Sequence, residues 1–293
     1  MKIKLKAWLM ACRPKTLPAA AAPVVMGAAM AYGDEVFHFL SAFFCLLCAL
    51  LIQIGTNLAN DYFDFKKGAD TAERVGPVRV TQSGLLSPRV VKLGFIFVFA
   101  AAVLASFYLV ARGGLPIALI GILSISSGIL YTAGPKPLGY IGLGELFTFI
   151  FFGPVAVAGT YYAQALTFNN AAVFAGLGLG ALSVSMLCVN NYRDMPNDAL
   201  TGKRTLAVRF GRRFAQAEYI ASILLAAVIP AWIYLVTKQH AKIIFACLIA
   251  LIAIPSMRVV LAKTDGPSLN KVLGFTGKLM IIYTALFSLG WIL

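Results

Sequence analysis

The chain has 293 residues, 60% of them hydrophobic and only 12% charged, with a mean hydropathy of +0.85 and a formal net charge of +14. A soluble domain averages about 45–50% apolar and about 25% charged residues, so the composition excludes an ordinary soluble globule. Two histidines, His38 and His240, leave almost no material for a His-based metal site or a Ser-His-Asp triad.

In chain order, the opening MKIKLKAWLMACRPK is basic, and an apolar, Ala-rich stretch follows it over 17–32. Its long basic segment and the membrane character of everything downstream favour a retained first helix over a cleaved signal peptide. Apolar blocks then predict membrane helices over 37–59, 91–111, 115–133, 141–163, 171–191, 216–236, 242–262 and 273–293, nine in all with the first. Most are close to the roughly 20 residues that cross the hydrocarbon core. The expected fold is an all-α integral membrane protein in one domain, residues 1–293.

Counted by side, 21 of the 25 Lys and Arg fall in the N-terminal segment and in the loops 64–92, 134–140, 193–215 and 258–271. By the positive-inside rule this places the N-terminus in the cytosol and the C-terminus outside. Most of the basic excess is therefore topology, and nucleic acid is not an expected partner. The cysteines Cys12, Cys45, Cys48, Cys188 and Cys247 sit in or beside apolar runs; the Cys45–Cys48 spacing is read as two small hydrophobes within a helix.

The polar residues gather in two places on the predicted cytosolic face. The second predicted helix ends in NLANDYFDFKKGAD (57–70), the sixth in NNYRDMPNDALTGKRTLAVRFG (190–211). An aspartate near the centre of a membrane helix costs about 2.5–3.5 kcal/mol on insertion scales, so such residues mark functional sites. Asn57, Asn60, Asp64 and Gly68 repeat, 134 residues on, as Asn191, Asp194, Asp198 and Gly202. Four membrane crossings lie between them, which returns the chain to the same side and reads as the trace of an internal duplication. On a helix, Asn57, Asn60, Asp61 and Asp64 share one face, and Pro196 is expected to loosen or end the helix between Asp194 and Asp198.

Two such tips facing each other bring at least four carboxylates into one volume, where divalent metal keeps them ionised. Carboxylates and Asn amides are hard oxygen donors, which favour Mg²⁺ together with substrate phosphates. Lys66, Lys67, Arg74, Arg79, Arg193, Lys203 and Arg204 supply cations for phosphate oxygens. The pattern reads as a Mg²⁺–diphosphate site.

These motifs resemble the UbiA superfamily of intramembrane aromatic prenyltransferases. RPKTLPA (13–19), GPVRVTQSGLLSP (76–88) and YTAGPKPLGYIGLGELF (131–147), with the two Asp motifs, are similar to its branch acting on 1,4-dihydroxy-2-naphthoate. The resemblance implies about nine helices around a central cavity, and a bacterial inner-membrane enzyme that joins polyprenyl diphosphate to this aromatic acceptor at the cytosolic face, with loss of CO₂. It implies Mg²⁺ held by Asp61, Asp64, Asp194 and Asp198 with Asn57 and Asn60, and diphosphate bound by Lys67, Arg79, Arg193, Lys203 and Arg204. The usual first motif has a further Asp where this chain has Gly68, and Asp70 is the nearest substitute. Tyr131 and Lys136 take the places of the family's Tyr and base between helices 4 and 5. Arg13 and Lys15 are assigned to the acceptor carboxylate, and Glu145, read as the one glutamate inside a membrane span, to its hydroxyls or to a basic partner. Within the superfamily 4-hydroxybenzoate and homogentisate are the alternative acceptors, and a transporter is the rival outside it. One-sided polar clusters and a parallel repeat count against the transporter.

Overall fold

The computed structural model describes residues 2–70, 76 and 78–293. Its regular structure is helical: α1 (Lys2–Ala11), α2 (Leu17–Gly33), α3 (Phe39–Lys66), α4 (Pro88–Leu130), α5 (Gly144–Ile150), α6 (Ala156–Ala165), α7 (Asn170–Leu200), α8 (Leu206–Thr237), α9 (Ile249–Ile252), α10 (Ile254–Ala262) and α11 (Gly266–Ile292). Among the described residues eight stretches are long and apolar enough to cross a membrane. One of them, the 43-residue α4, breaks at Gly114 (φ 66°, ψ −150°), a conformation that suits glycine. Its two arms correspond to the separate spans expected over 91–111 and 115–133.

Helix ends are set by local chemistry. His38 and Asn169 accept backbone N–H bonds from Ser41 and Ala171 at the starts of α3 and α7, and Thr205 does the same from Val208 at the start of α8. The stretch 193–215, expected as a loop, is helical to Leu200 and again from Leu206, because that Thr205 cap nucleates α8 just five residues after α7 ends. Gly211 (φ 79°) then bends α8 where its first turns give way to the span. Pro196 does not end α7: the helix runs through it to Leu200, and Thr201 N–H bonds to Asn197 C=O at 3.0 Å. The packing of α7 against α8, α11 and α5 carries the helix past a residue that favours a break in an isolated helix.

The main core lies along α7, where α2, α6, α8 and α11 meet it through Met26, Met30, Leu179, Leu182, Tyr219, Tyr283 and Phe287. Close approach is made by small residues: a Cβ on Gly176 would sit 2.5 Å from Pro154 Cα, so α7 touches the widened turn 151–155 backbone to backbone. A second core joins α1 to α3 and α4 through Leu58, Val91, Phe95 and Phe99. Between the two cores the helices part, and the site lies in that gap.

Candidate active site

Both Asp motifs sit on the last turns of long helices, α3 and α7, and both turns end alike. Ala69 N–H bonds to Asp64 C=O at 2.9 Å, and Lys203 N–H to Asp198 C=O at 2.9 Å. The intervening Gly68 and Gly202 are left-handed, at φ 68° and 76°. These are matching helix-terminal caps, which only glycine forms without strain. The 134-residue offset is therefore a structural equivalence as well as a sequence one. Asn197 of the second tip donates to Ala69 C=O of the first at 3.3 Å, tying the two together.

A cavity of about 600 Å³ opens between the tips and continues as an apolar arm among α3, α4 and α6. Asn57, Asn60, Asp64, Asn191, Asp194 and Asp198 line its polar end, with Arg13, Arg79, Tyr131, Tyr140 and Lys203. Asp64 has three donors: Tyr140 Oη donates to its Oδ1 at 2.8 Å, and Arg79 Nη2 and Lys203 Nζ approach its Oδ2 at 3.2 and 3.3 Å. Arg193 forks onto Asp194, Nε to Oδ1 at 2.7 Å and Nη2 to Oδ2 at 2.8 Å; Nη2 also donates to Asn190 Oδ1 and Nη1 to Asn270 Oδ1. Asn60 accepts from Thr132 Oγ1 at 2.9 Å, whereas Asn57 donates to Cys12 C=O and Thr16 Oγ1.

The other expected site residues lie elsewhere. Asp61 is buried but accepts the backbone N–H groups of Val80 and Thr81 at 3.2 and 3.0 Å, so it shapes the segment that carries Arg79. Three of the four main carboxylates thus line the cavity. Asp70 holds Arg79 Nε at 3.2 Å and is not on the wall. Glu145 starts α5 and accepts from Asn191 Nδ2 at 2.8 Å, one layer behind the cavity. Glu145 is also not alone, because Glu218 lies within the span Leu206–Thr237; long apolar runs on both sides conceal a single carboxylate from a hydropathy reading. Lys15, Lys66, Lys136 and Arg204 are exposed and off the wall, and Arg74 lies outside the described residues.

Lys67 donates to the carbonyls of Thr132 and Gly134, both at 2.9 Å, and lies 4.9 Å from the centre of the Tyr140 ring; Lys203 lies 4.8 Å from it. Partial burial lowers the Lys67 ammonium from its ordinary value, with Asp64 opposing and Lys203 adding to the shift. Burial foremost, then nearby carboxylates, raises the phenols of Tyr131 and Tyr140, so both stay protonated. Tyr140, Thr132 and Glu218 are what sequence reasoning missed. For Tyr140 the available signal was the left-handed glycines Gly134 and Gly142 on either side, which fold the 131–143 segment over the site.

The donors converging here are carboxylate and amide oxygens, which suit a hard divalent cation. Among the described residues no three acidic, His or Cys side chains cluster tightly enough to hold a metal by themselves. Asp64 faces Asp194 and Asp198 across the gap between the tips, an arrangement that suits Mg²⁺ bound jointly by protein and substrate phosphates.

The description "UbiA prenyltransferase family" matches residues 20–289. The chain is 35% identical to the 1,4-dihydroxy-2-naphthoate octaprenyltransferase of Haemophilus influenzae, over 98% of this chain and 96% of that one. It is 38% identical to the protein of that name from Mycobacterium tuberculosis, over 94% and 93% of the two chains. A UbiA homolog from Archaeoglobus fulgidus bound to GPP and Mg²⁺ superposes with a TM-score of 0.71, at 16% identity and covering 98% of this chain and 99% of the other.

Proposed function

The chain belongs to the UbiA prenyltransferase family and is a multi-pass membrane enzyme that transfers prenyl groups, and from that premise we propose that it prenylates 1,4-dihydroxy-2-naphthoate with loss of CO₂ and diphosphate, giving demethylmenaquinol, the reduced form of demethylmenaquinone. The observation that carries the reading is the pair of equivalent helix tips: Asp64 on one and Asp194 and Asp198 on the other face a single cavity whose apolar arm descends between α3 and α4. The relatives named for this reaction supply the acceptor, and the Archaeoglobus homolog with GPP and Mg²⁺ supplies the metal by analogy.

In this reading the isoprenoid tail occupies the apolar arm and the diphosphate lies between the tips. Asp64, Asp194 and Asp198, with Asn60, hold Mg²⁺, which when bound neutralises diphosphate charge. Arg79 and Lys203, now resting on Asp64, turn to the diphosphate oxygens as charge builds on the leaving group. The Tyr131 ring, on the cavity wall, faces the allylic cation that C1–O cleavage produces. Arg13, on the same wall at the α1–α2 joint, takes the acceptor carboxylate. The electron-rich ring carbon bearing that carboxylate attacks the cation, a C–C bond forms, and the carboxylate leaves as CO₂ while its electron pair restores the aromatic ring. The dry lower cavity keeps water from the cation.

The basic segments flank both Asp tips, so the active site faces the cytosol across the bacterial inner membrane. Purified protein given Mg²⁺ and a long polyprenyl diphosphate tests the acceptor, with 1,4-dihydroxy-2-naphthoate and 4-hydroxybenzoate offered in parallel. Prenylated naphthoquinol as sole product is expected. Product from 4-hydroxybenzoate alone would move the enzyme to another acceptor class.

A further inference from the structure

Tyr140 belongs to neither Asp motif, yet it touches both halves of the site. Its hydroxyl donates to Asp64 Oδ1 at 2.8 Å, on the first tip. Its ring lies 4.9 Å from the ammonium of Lys67, just past that tip, and 4.8 Å from the ammonium of Lys203, just past the second. Its carbonyl accepts Arg204 N–H at 2.8 Å, which ties the 131–143 segment to the connection between α7 and α8. The segment has little freedom here: a Cβ on Gly139 would sit 2.8 Å from the Tyr131 ring, and one on Gly142 would sit 3.2 Å from Arg204 C=O.

The three donors on Asp64 differ in kind. Arg79 and Lys203 neutralise Oδ2 and are the groups that must turn to phosphate when substrate arrives. Tyr140 is a neutral donor on Oδ1. It fixes the carboxylate plane while leaving its charge in place, and a carboxylate oxygen has a second lone pair to offer a cation. A ring beside two ammonium groups attracts both through its π face. Of the two, Lys203 lines the cavity, so one side chain can aim a metal-facing carboxylate and seat a phosphate-facing cation.

Resting on the function proposed above, we infer that Tyr140 is a positioning residue of the diphosphate site: its hydroxyl orients Asp64 toward the metal, and its ring holds Lys203 on the cavity wall, toward the phosphates. The two roles separate by mutation. Tyr140→Phe removes the hydroxyl and keeps the ring; Tyr140→Leu removes both.

The test measures binding without turnover, on the full chain in detergent: Mn²⁺ by EPR in the presence of inorganic diphosphate, and inorganic diphosphate alone by calorimetry. Loss of a partner that orients a metal ligand weakens metal binding about 10–100-fold. Tyr140→Phe is therefore expected to weaken Mn²⁺ at least about tenfold and to leave metal-free diphosphate binding within about twofold. Tyr140→Leu is expected to weaken both. Mn²⁺ affinity equal to wild type in Tyr140→Phe overturns the hydroxyl's role, whatever happens to thermal stability. Diphosphate binding equal in Tyr140→Phe and a folded Tyr140→Leu overturns the ring's role, and Tyr140→Ile takes the place of a leucine variant that does not fold. If wild type itself binds no Mn²⁺ with diphosphate, the proposed function fails first, and that result is distinct from either of these.

Discussion

Gly121, on the second arm of α4, lines the cavity, and a Cβ built there meets nothing within 4 Å. It lies ten residues before Tyr131, about 15 Å down the helix and so about three isoprene lengths from the reacting carbon. Gly121→Leu places four carbons where a long prenyl tail passes and a geranyl tail does not reach. Each displaced methylene is worth about 0.8 kcal/mol, so a tail expelled from that stretch loses up to about 3 kcal/mol, or about 100-fold in kcat/KM. A tail that escapes sideways into lipid loses less, so this is the upper bound. The helix itself gains from the change, by up to about 1 kcal/mol, so unfolding does not mimic the effect. The assay is kcat/KM for geranyl, farnesyl and octaprenyl diphosphates with one acceptor. Geranyl transfer unchanged within about twofold and octaprenyl transfer reduced at least about tenfold is expected. An equal reduction for all three lengths, or none, would refute the placement of the tail in this arm.

Four further outcomes follow from the site. Asp198→Asn should cut prenyl transfer at least about 10³-fold while thermal stability in detergent holds, since the change removes charge from the cavity wall and keeps shape. Asp70→Asn should raise KM for the prenyl diphosphate without altering the Mg²⁺ requirement, because Asp70 anchors Arg79 rather than the metal. The lowered Lys67 ammonium loses its proton at a lower pH than a free lysine, so diphosphate binding should weaken as alkaline pH passes through that depressed value. Stability of the ligand-free protein should rise slightly across the same window, where the unfolded chain binds more protons; Lys67→Arg, charged throughout, should extend the binding limb to higher pH. Gly68→Ala and Gly202→Ala should each cost about 1 kcal/mol of stability by forcing a side chain into the left-handed region, with no clash to add to it.

What the sequence made legible was whatever repeats or runs long. The apolar blocks located the spans, because crossing a bilayer demands a length that composition reveals. The 134-residue repeat located both tips, because matching caps need glycine at matching places. What it concealed depended on side-chain direction. Asp61 and Asp64 share a helix face in a wheel reading, yet one turns to the amides of Val80 and Thr81 and the other to the cavity. Asp70 resembled a replacement ligand, and its contact with Arg79 is a matter of how the chain folds back after Gly68. Pro196 was a local signal to stop, outweighed by packing on several sides of α7. Tyr140 lies 76 residues from Asp64 in the chain, and no local pattern pairs them.

The central claim is that this site couples prenyl transfer to decarboxylation and needs a divalent cation. It is tested most directly with 1,4-dihydroxy-2-naphthoate labelled in its carboxyl carbon, a long polyprenyl diphosphate and purified protein, with and without EDTA. The account predicts one labelled CO₂ for each prenylated naphthoquinol formed, and neither product once the metal is chelated. A prenylated product that keeps its label, or turnover undiminished by EDTA, would contradict it.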